Sequence, residues 1–130
     1  MKTSKIVTSI LFGCAAFLMT ENLKAVPQVD VVNSDSNLDG QNFSFYISDV
    51  SGTTICPRRA IKLGINSDSI SCPGLEKVEN GAQVTVKGGP MGTINCDLLP
   101  VKGGITIPYT KHKNILIEID NPSDCKVELD

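Results

Sequence analysis

Residues 34–41, SDSNLDGQ, hold the side chains that come nearest to a metal-binding pattern in this chain. Asp35, Asn37 and Asp39 occupy alternate positions and a glycine follows, which is how an EF-hand calcium loop begins. That loop needs a bidentate glutamate at its twelfth position, where this chain has Tyr46. The complete motif is therefore excluded. Two interpretations remain: a non-helical calcium turn with Asp35, Asn37 and Asp39 as ligands, or a polar surface turn.

Catalytic side chains are scarce. His112 is the only histidine, and it lies between Lys111 and Lys113, a setting typical of an exposed loop. A catalytic histidine would need a buried position beside a nucleophile and a carboxylate that orients it. We therefore predict no enzyme, no catalytic residue and no cofactor other than the possible calcium.

Paired carboxylates are the remaining route to hydrolysis. The acidic residues of the C-terminal stretch are more typical of a solvated face. The chain also lacks tryptophan and has only two tyrosines, so it offers few rings on which a sugar could stack. A small hydrolase that uses acidic residues stays as the last alternative. Its candidate carboxylates are Asp120, Asp124, Glu128 and Asp130.

Two stretches are candidates for contact with a partner. Residues 57–62, PRRAIK, form the most basic patch of an acidic protein, and residues 87–92, KGGPMG, form a glycine-rich loop with a methionine that can adapt to a partner. A patch of this kind suits an anionic partner. The predicted contact residues are Arg58, Arg59, Lys62, Gly88, Gly89 and Met91.

The N-terminus has the layout of a secretory signal peptide. Lys2 and Lys5 precede an apolar run at 6–19, and a polar stretch ends at the small residue Ala25. The run is shorter than the roughly 20 residues of a membrane span. We predict cleavage after Ala25 and a secreted protein, periplasmic in a Gram-negative host. A lipidated N-terminus at Cys14 is the alternative, which the bulky residue two positions before it disfavours.

Charge argues against nucleic acid as a partner. The whole chain has 12 basic and 14 acidic residues, a formal net charge of −2. Residues 1–25 contain three lysines and one glutamate, so their removal leaves a charge near −4. A mildly acidic body does not attract phosphate backbones.

Four cysteines follow the leader, at positions 56, 72, 96 and 125. An even number in a small exported domain predicts two disulfides, with three possible pairings. No two of them have the short spacing of a zinc knuckle, so structural zinc is not expected. Each disulfide can contribute about 2–4 kcal/mol of stability.

Hydrophobic periodicity predicts strands throughout. Phe43, Phe45 and Ile47 alternate with Ser44 and Tyr46. The isoleucines at 115–119 alternate with a leucine and a glutamate, and the apolar positions of 125–129 alternate with charged residues, so these two stretches predict a closing hairpin. Further predicted strands are 53–56, ended by Pro57, then 58–65 and 93–101, with a hairpin over 75–86 that turns at Asn80 and Gly81.

No sustained helical period occurs in the sequence. Seven to nine short antiparallel strands predict a small immunoglobulin-like β-sandwich held by two disulfides. Residues 43–130 would form this domain. Residues 26–42 would form an extended and turn segment whose first part, 26–32, is an edge strand or a tail, since Pro27 disfavours a central strand.

These features favour a secreted non-enzymatic binding module, such as an effector or an inhibitor, that acts on a protein or cell-surface partner. A carrier that holds a small apolar ligand or lipid between its sheets is the second possibility, because alternating Ile, Val and Leu faces can line a cavity.

Overall fold

The computed structural model describes residues 26–64, 68–88 and 94–130. Eight strands form two four-stranded sheets, and these residues contain no α-helix, only three short 3₁₀ segments at Ser36–Leu38, Pro73–Lys77 and Pro100–Lys102. The strands are β1 (Gln28–Asn33), β2 (Asn42–Asp49), β3 (Thr54–Lys62), β4 (Asp68–Ser71), β5 (Gln83–Gly88), β6 (Ile105–Pro108), β7 (Ile115–Asn121) and β8 (Asp124–Leu129).

The two sheets pack face to face as a sandwich, which confirms the predicted fold class. One sheet has the strand order β4-β1-β7-β8 and the other has the order β3-β2-β5-β6. Every pairing is antiparallel except that of β1 with β7, which is parallel. Strands β3 and β4 are therefore edge strands, as are β6 and β8.

The core lies between the inward faces of the sheets. Phe43, Phe45 and Ile47 of β2 face it and are at most 1% exposed, as the period-two pattern predicts. The isoleucines at 115, 117 and 119 of β7 are fully buried opposite them. Strand β8 pairs with β7 through a tight turn, so the predicted closing hairpin is confirmed.

Two disulfides join the elements of the sandwich, and the structure selects one of the three pairings. Cys56 of β3 bonds to Cys72, which directly follows β4, so this bridge connects the edges of the two sheets. Cys96 bonds to Cys125 of β8 and holds the segment after β5 against the closing hairpin. All four sulfur-bearing side chains are buried or half-buried.

The expected edge position of residues 26–32 is wrong. Strand β1 lies inside its sheet, between β4 and β7, and Val29 and Val31 are buried. Pro27 does not prevent this because it precedes the first paired residue, where no ladder bond requires its missing N–H. Its carbonyl accepts a hydrogen bond from the amide of Cys72.

The expected break at Pro57 is also wrong, because β3 runs continuously through it. Edge strands tolerate proline, and here the register of β3 against β2 shifts around the proline, between the pairs Phe45–Arg59 and Ile47–Cys56. The extra residue at this bulge removes the need for an amide at position 57.

Two further strand predictions need correction. Residues 75–86 do not form a hairpin: Pro73–Lys77 is a 3₁₀ turn, and β5 pairs with β2 and β6 instead. Residues 94–99 are irregular and Pro100–Lys102 is a 3₁₀ segment, although Ile94, Cys96 and Leu98 are buried as the pattern required. The apolar residues of this segment alternate because successive turns pack them on the core. The same sequence pattern occurs in a strand, so periodicity alone cannot distinguish the two.

The signal peptide predicted at 1–25 and the cleavage after Ala25 lie outside the described residues. The last residue of the strand predicted over 58–65, Ile65, also lies outside them. Within the described ranges, no helix has the length and apolarity needed to cross a membrane. The two disulfides indicate an oxidising environment.

Candidate functional site

The outer surface of the sheet β3-β2-β5-β6 carries a group of cations around a tyrosine. Tyr46 projects from β2 on the side opposite Phe45, Lys87 of β5 lies directly across from it, and Arg58 of β3 stacks on it. Lys62 faces the same way, since it pairs with the outward residue Asn42. We call this surface, made of Tyr46, Arg58, Lys62 and Lys87, the basic face.

Arg58 is held in place by two contacts. Its guanidinium carbon lies 4.7 Å from the centre of the Tyr46 ring, within the range of a cation–π interaction. Its Nη1 donates a hydrogen bond of 2.8 Å to Oγ of the buried Ser44. The guanidinium is therefore oriented before any partner arrives, which lowers the entropy that a contact would cost.

The basic face contains no acidic strand residue. At the outward positions of the described strands in this sheet, the side chains other than the three cations are neutral. Next to Tyr46, a shallow depression of about 290 Å³ is lined by Thr54, Pro57 and Arg58. The surface thus offers positive charge, an aromatic edge and hydroxyl groups.

Negative charge collects on the outer surface of the other sheet. Glu118 and Asp120 of β7 lie beside Glu128 of β8, and Lys126 forms a 3.4 Å ion pair with Asp120. Desolvation, followed by a hydrogen bond and charge repulsion from Glu128, raises the pKa of Glu118 above its ordinary value. We call the surface formed by Glu118, Asp120 and Glu128 the acidic face. The sandwich therefore separates its charge between opposite sides.

The six predicted contact residues do not form one surface. Arg58 and Lys62 belong to the basic face, whereas Arg59 projects from the opposite side of β3 towards the opening between the sheets. Gly88 is buried at the end of β5, where an added Cβ would come 2.8 Å from the Phe43 ring. Gly89 and Met91 lie outside the described residues.

The predicted contact residues did not include Ser44, Tyr46 or Lys87, although Lys87 begins the candidate contact stretch 87–92. The signal for the first two was present, since residues that alternate with Phe43 and Phe45 must point outward. Their meeting with Arg58 was not readable, because it depends on the bulge that shifts β3 against β2.

The stretch 34–41 folds as a turn organised by Asn33. This buried amide donates to the Asp35 carbonyl and to Oδ1 of Asp39, and its own oxygen accepts from the Asp35 amide. Oδ1 of Asp35 accepts from the amide of Asn37, and the adjacent Leu38 is buried in the core. These bonds give the polar residues a structural role.

No group of three or more His, Cys, Asp or Glu side chains in the described part of the chain is arranged to hold a metal ion. The calcium turn at Asp35, Asn37 and Asp39 stays a prediction.

Neither His112 nor the candidate carboxylates of the C-terminal stretch lie in a cleft of the described residues. His112 is exposed in a turn with a positive φ of 70°. The carboxylates Asp120, Asp124 and Glu128 lie on strand surfaces, and none of them lines the depression beside Tyr46 or the two cavities next to Ile55 and Gly74.

No protein-family model matches this chain, and no curated protein matches its sequence.

Proposed function

We propose that this protein is a secreted, non-enzymatic binding module that receives an anionic patch of a protein or cell-surface partner on its basic face. The observation that carries the proposal is the arrangement of Arg58 and Lys87 on either side of Tyr46, two cations next to one neutral aromatic ring. The overall charge of the chain is negative, so a cluster of cations without acidic strand neighbours is a local feature.

The physical case rests on preorganisation. Arg58 is oriented by Ser44 and Tyr46, so its planar donors can meet a carboxylate, sulfate or phosphate group without losing further rotamer freedom. Tyrosine and arginine are also the residue types that contribute most to interface energy. Lys62 and Lys87 would add attraction that guides the partner into place and weakens as salt increases.

A binding role agrees with the remaining chemistry. The disulfide-linked scaffold suits an oxidising compartment, which is consistent with the leader predicted from the sequence. A function without turnover also fits a lone histidine in an exposed turn and cysteines that are all bonded in the described residues.

The proposal is tested by affinity capture from the surface or extracellular fraction of the natural setting, with three baits. The wild type is compared with R58Q/K62Q/K87Q, which neutralises the basic face, and with E118Q/E128Q, which neutralises part of the acidic face. We expect the wild type and the acidic-face variant to retain the same species and the basic-face variant to lose it. Equal capture by all three baits would contradict the proposal.

A further inference from the structure

A cavity opens between the two sheets at the side where their edge strands β3 and β4 meet. It has a volume of about 280 Å³ and flanks the Cys56–Cys72 disulfide. Val29 of β1, Phe45 of β2 and Ile70 of β4 contribute inward side chains to its wall. The cavity is therefore an extension of the hydrophobic core that reaches the surface.

The position of this opening follows from the strand order. Among the described strands, none lies on the outer side of β3 or of β4, so neither sheet covers the gap between them. The disulfide and the close approach of Gly74 to the Ile55 carbonyl hold the two edges together at one point. Both Ile55 and Gly74 line the cavity, so its wall is fixed by covalent and steric contacts.

Among the residues that the structure describes, Arg59 is the only charged side chain that lines the cavity. It pairs with Phe45 across β2 and β3, and residues directly opposite in a sheet share a face, so it projects from the cavity side of the strand. The side chain is exposed. Within the described residues it has no hydrogen-bond or ion-pair partner, in contrast to Arg58, which contacts Ser44 and Tyr46.

A guanidinium at the mouth of an apolar cavity complements a molecule with an anionic group at one end and an apolar body. The volume lies just below the range of about 300–1,000 Å³ that is typical of ligand pockets, so the molecule must be small. A neighbouring cavity of about 480 Å³ shares Ile55 and Gly74, but it carries Asp49, Lys77 and Glu79 and is less suited to an apolar group.

We propose that the cavity beside the Cys56–Cys72 disulfide binds a small anionic amphiphile, with its apolar part against Phe45 and Ile70 and its carboxylate on Arg59. This site is separate from the basic face, and the proposal does not depend on the proposed function. It assigns the unpaired Arg59 a role in recognising the head group of the ligand.

The test is a titration of isotope-labelled protein with octanoate and, separately, with octanol, followed by amide chemical shifts in nuclear magnetic resonance. We expect saturable shifts at Ile55, Ile70 and Cys72 with octanoate. R59Q should weaken octanoate binding about tenfold or more, because it removes a charged hydrogen-bond donor, and should leave octanol binding unchanged. The matched control R58Q removes the same charge from the adjacent residue and should leave both affinities unchanged.

Three results would overturn this proposal. The first is the absence of saturable shifts near the cavity with octanoate. The second is an equal loss of octanoate affinity in R58Q and R59Q, which would indicate general charge attraction. The third is unchanged octanoate affinity in R59Q. None of these bears on the basic face, whose test measures capture of a macromolecular partner and not octanoate binding.

Discussion

The hydroxyl of Tyr109 donates a hydrogen bond of 2.6 Å to the backbone carbonyl of Lys113. Tyr109 is fully buried and stands just after β6, and the segment that follows crosses to β7 in the other sheet. The backbone of Tyr109 also bonds to Ala82 and Gly81. The backbone bonds of Tyr109 thus fix the start of the connection between the sheets, and its side chain fixes the path.

Tyr109→Phe should lower the free energy of unfolding by about 1 kcal/mol, the usual contribution of one hydrogen bond. Chemical denaturation measures this value. Tyr46→Phe is the matched control, because it removes a hydroxyl from an outward, half-buried ring and should change stability by less than about 0.5 kcal/mol. An equal loss in both variants would show that the Lys113 contact contributes nothing.

Burial, assisted by the negative charge of Glu76, raises the pKa of Tyr109 above its ordinary 10.0. The folded state therefore holds the phenol proton more tightly than the unfolded chain. Its stabilising effect is complete below pH 10.0 and is lost as the pH rises through the folded pKa. Tyr109→Phe should consequently flatten the decline of stability in alkaline solution, as followed by circular dichroism.

Gly74→Ala should destabilise the protein by about 1–3 kcal/mol, the usual range for overpacking. A Cβ at this position would overlap the Ile55 carbonyl oxygen, so β3 and the 3₁₀ turn would have to separate. Gly64→Ala is the control, because its Cβ would meet nothing within 4 Å. Thermal unfolding of both variants measures the difference. An unchanged unfolding temperature in Gly74→Ala would contradict the close approach of Gly74 to Ile55.

Asp49 closes the turn between β2 and β3, where its Oδ1 accepts hydrogen bonds from the Ser51 hydroxyl and the amides of Ser51 and Thr53. These bonds, the Ser51 hydroxyl first, lower the pKa of Asp49 below 3.8. Its contribution to stability is thus complete above pH 3.8 and is lost as the pH falls through the folded pKa.

Asp49→Asn should therefore weaken the dependence of stability on pH in acid, which a series of denaturant titrations from neutral to acid pH would measure. Asp97→Asn, which removes an exposed carboxylate from another turn, is the control and should leave the acid profile unchanged. A steep acid transition that persists in Asp49→Asn would contradict the role assigned to this turn.

Glu118→Gln should stabilise the protein at neutral pH. The raised pKa means that the charged carboxylate is unfavourable in the fold, and this penalty is present above the folded pKa and relieved as the pH falls. Like-charge neighbours in a sheet cost about 0.2–1 kcal/mol, and screening at this surface places the gain at the lower end. Glu128→Gln should give part of the same gain, and E118Q/E128Q should gain less than the sum.

The β-sandwich and the number of its disulfides could be predicted from the sequence, because each depends on one strong pattern. Period-two burial identified β2 and the β7–β8 hairpin, and the even number of cysteines predicted two disulfides. Pro57 was misread because proline stops an interior strand but not a bulged edge strand, and edge position is a property of the whole sheet. Disulfide pairing likewise depended on which strands became neighbours.

The candidate site was less predictable for the same reason. Arg58 and Arg59 are adjacent in the sequence, yet alternation sends them to opposite sides of β3, one onto Tyr46 and the other to the cavity mouth. The density of positive charge in residues 57–62 therefore predicted one surface, whereas these residues contribute to two. Lys87 joined the basic face only through the pairing of β5 with β2.

Retention of the purified protein on immobilised polyglutamate is the most direct test of the basic face. The chain is acidic overall, so a uniformly charged surface of this composition would be repelled by the column. We predict retention at low salt, elution as salt increases, and passage without retention for R58Q/K62Q/K87Q. Failure of the wild type to bind at low salt, or equal retention of the triple variant, would contradict the proposal that this face receives an anionic partner.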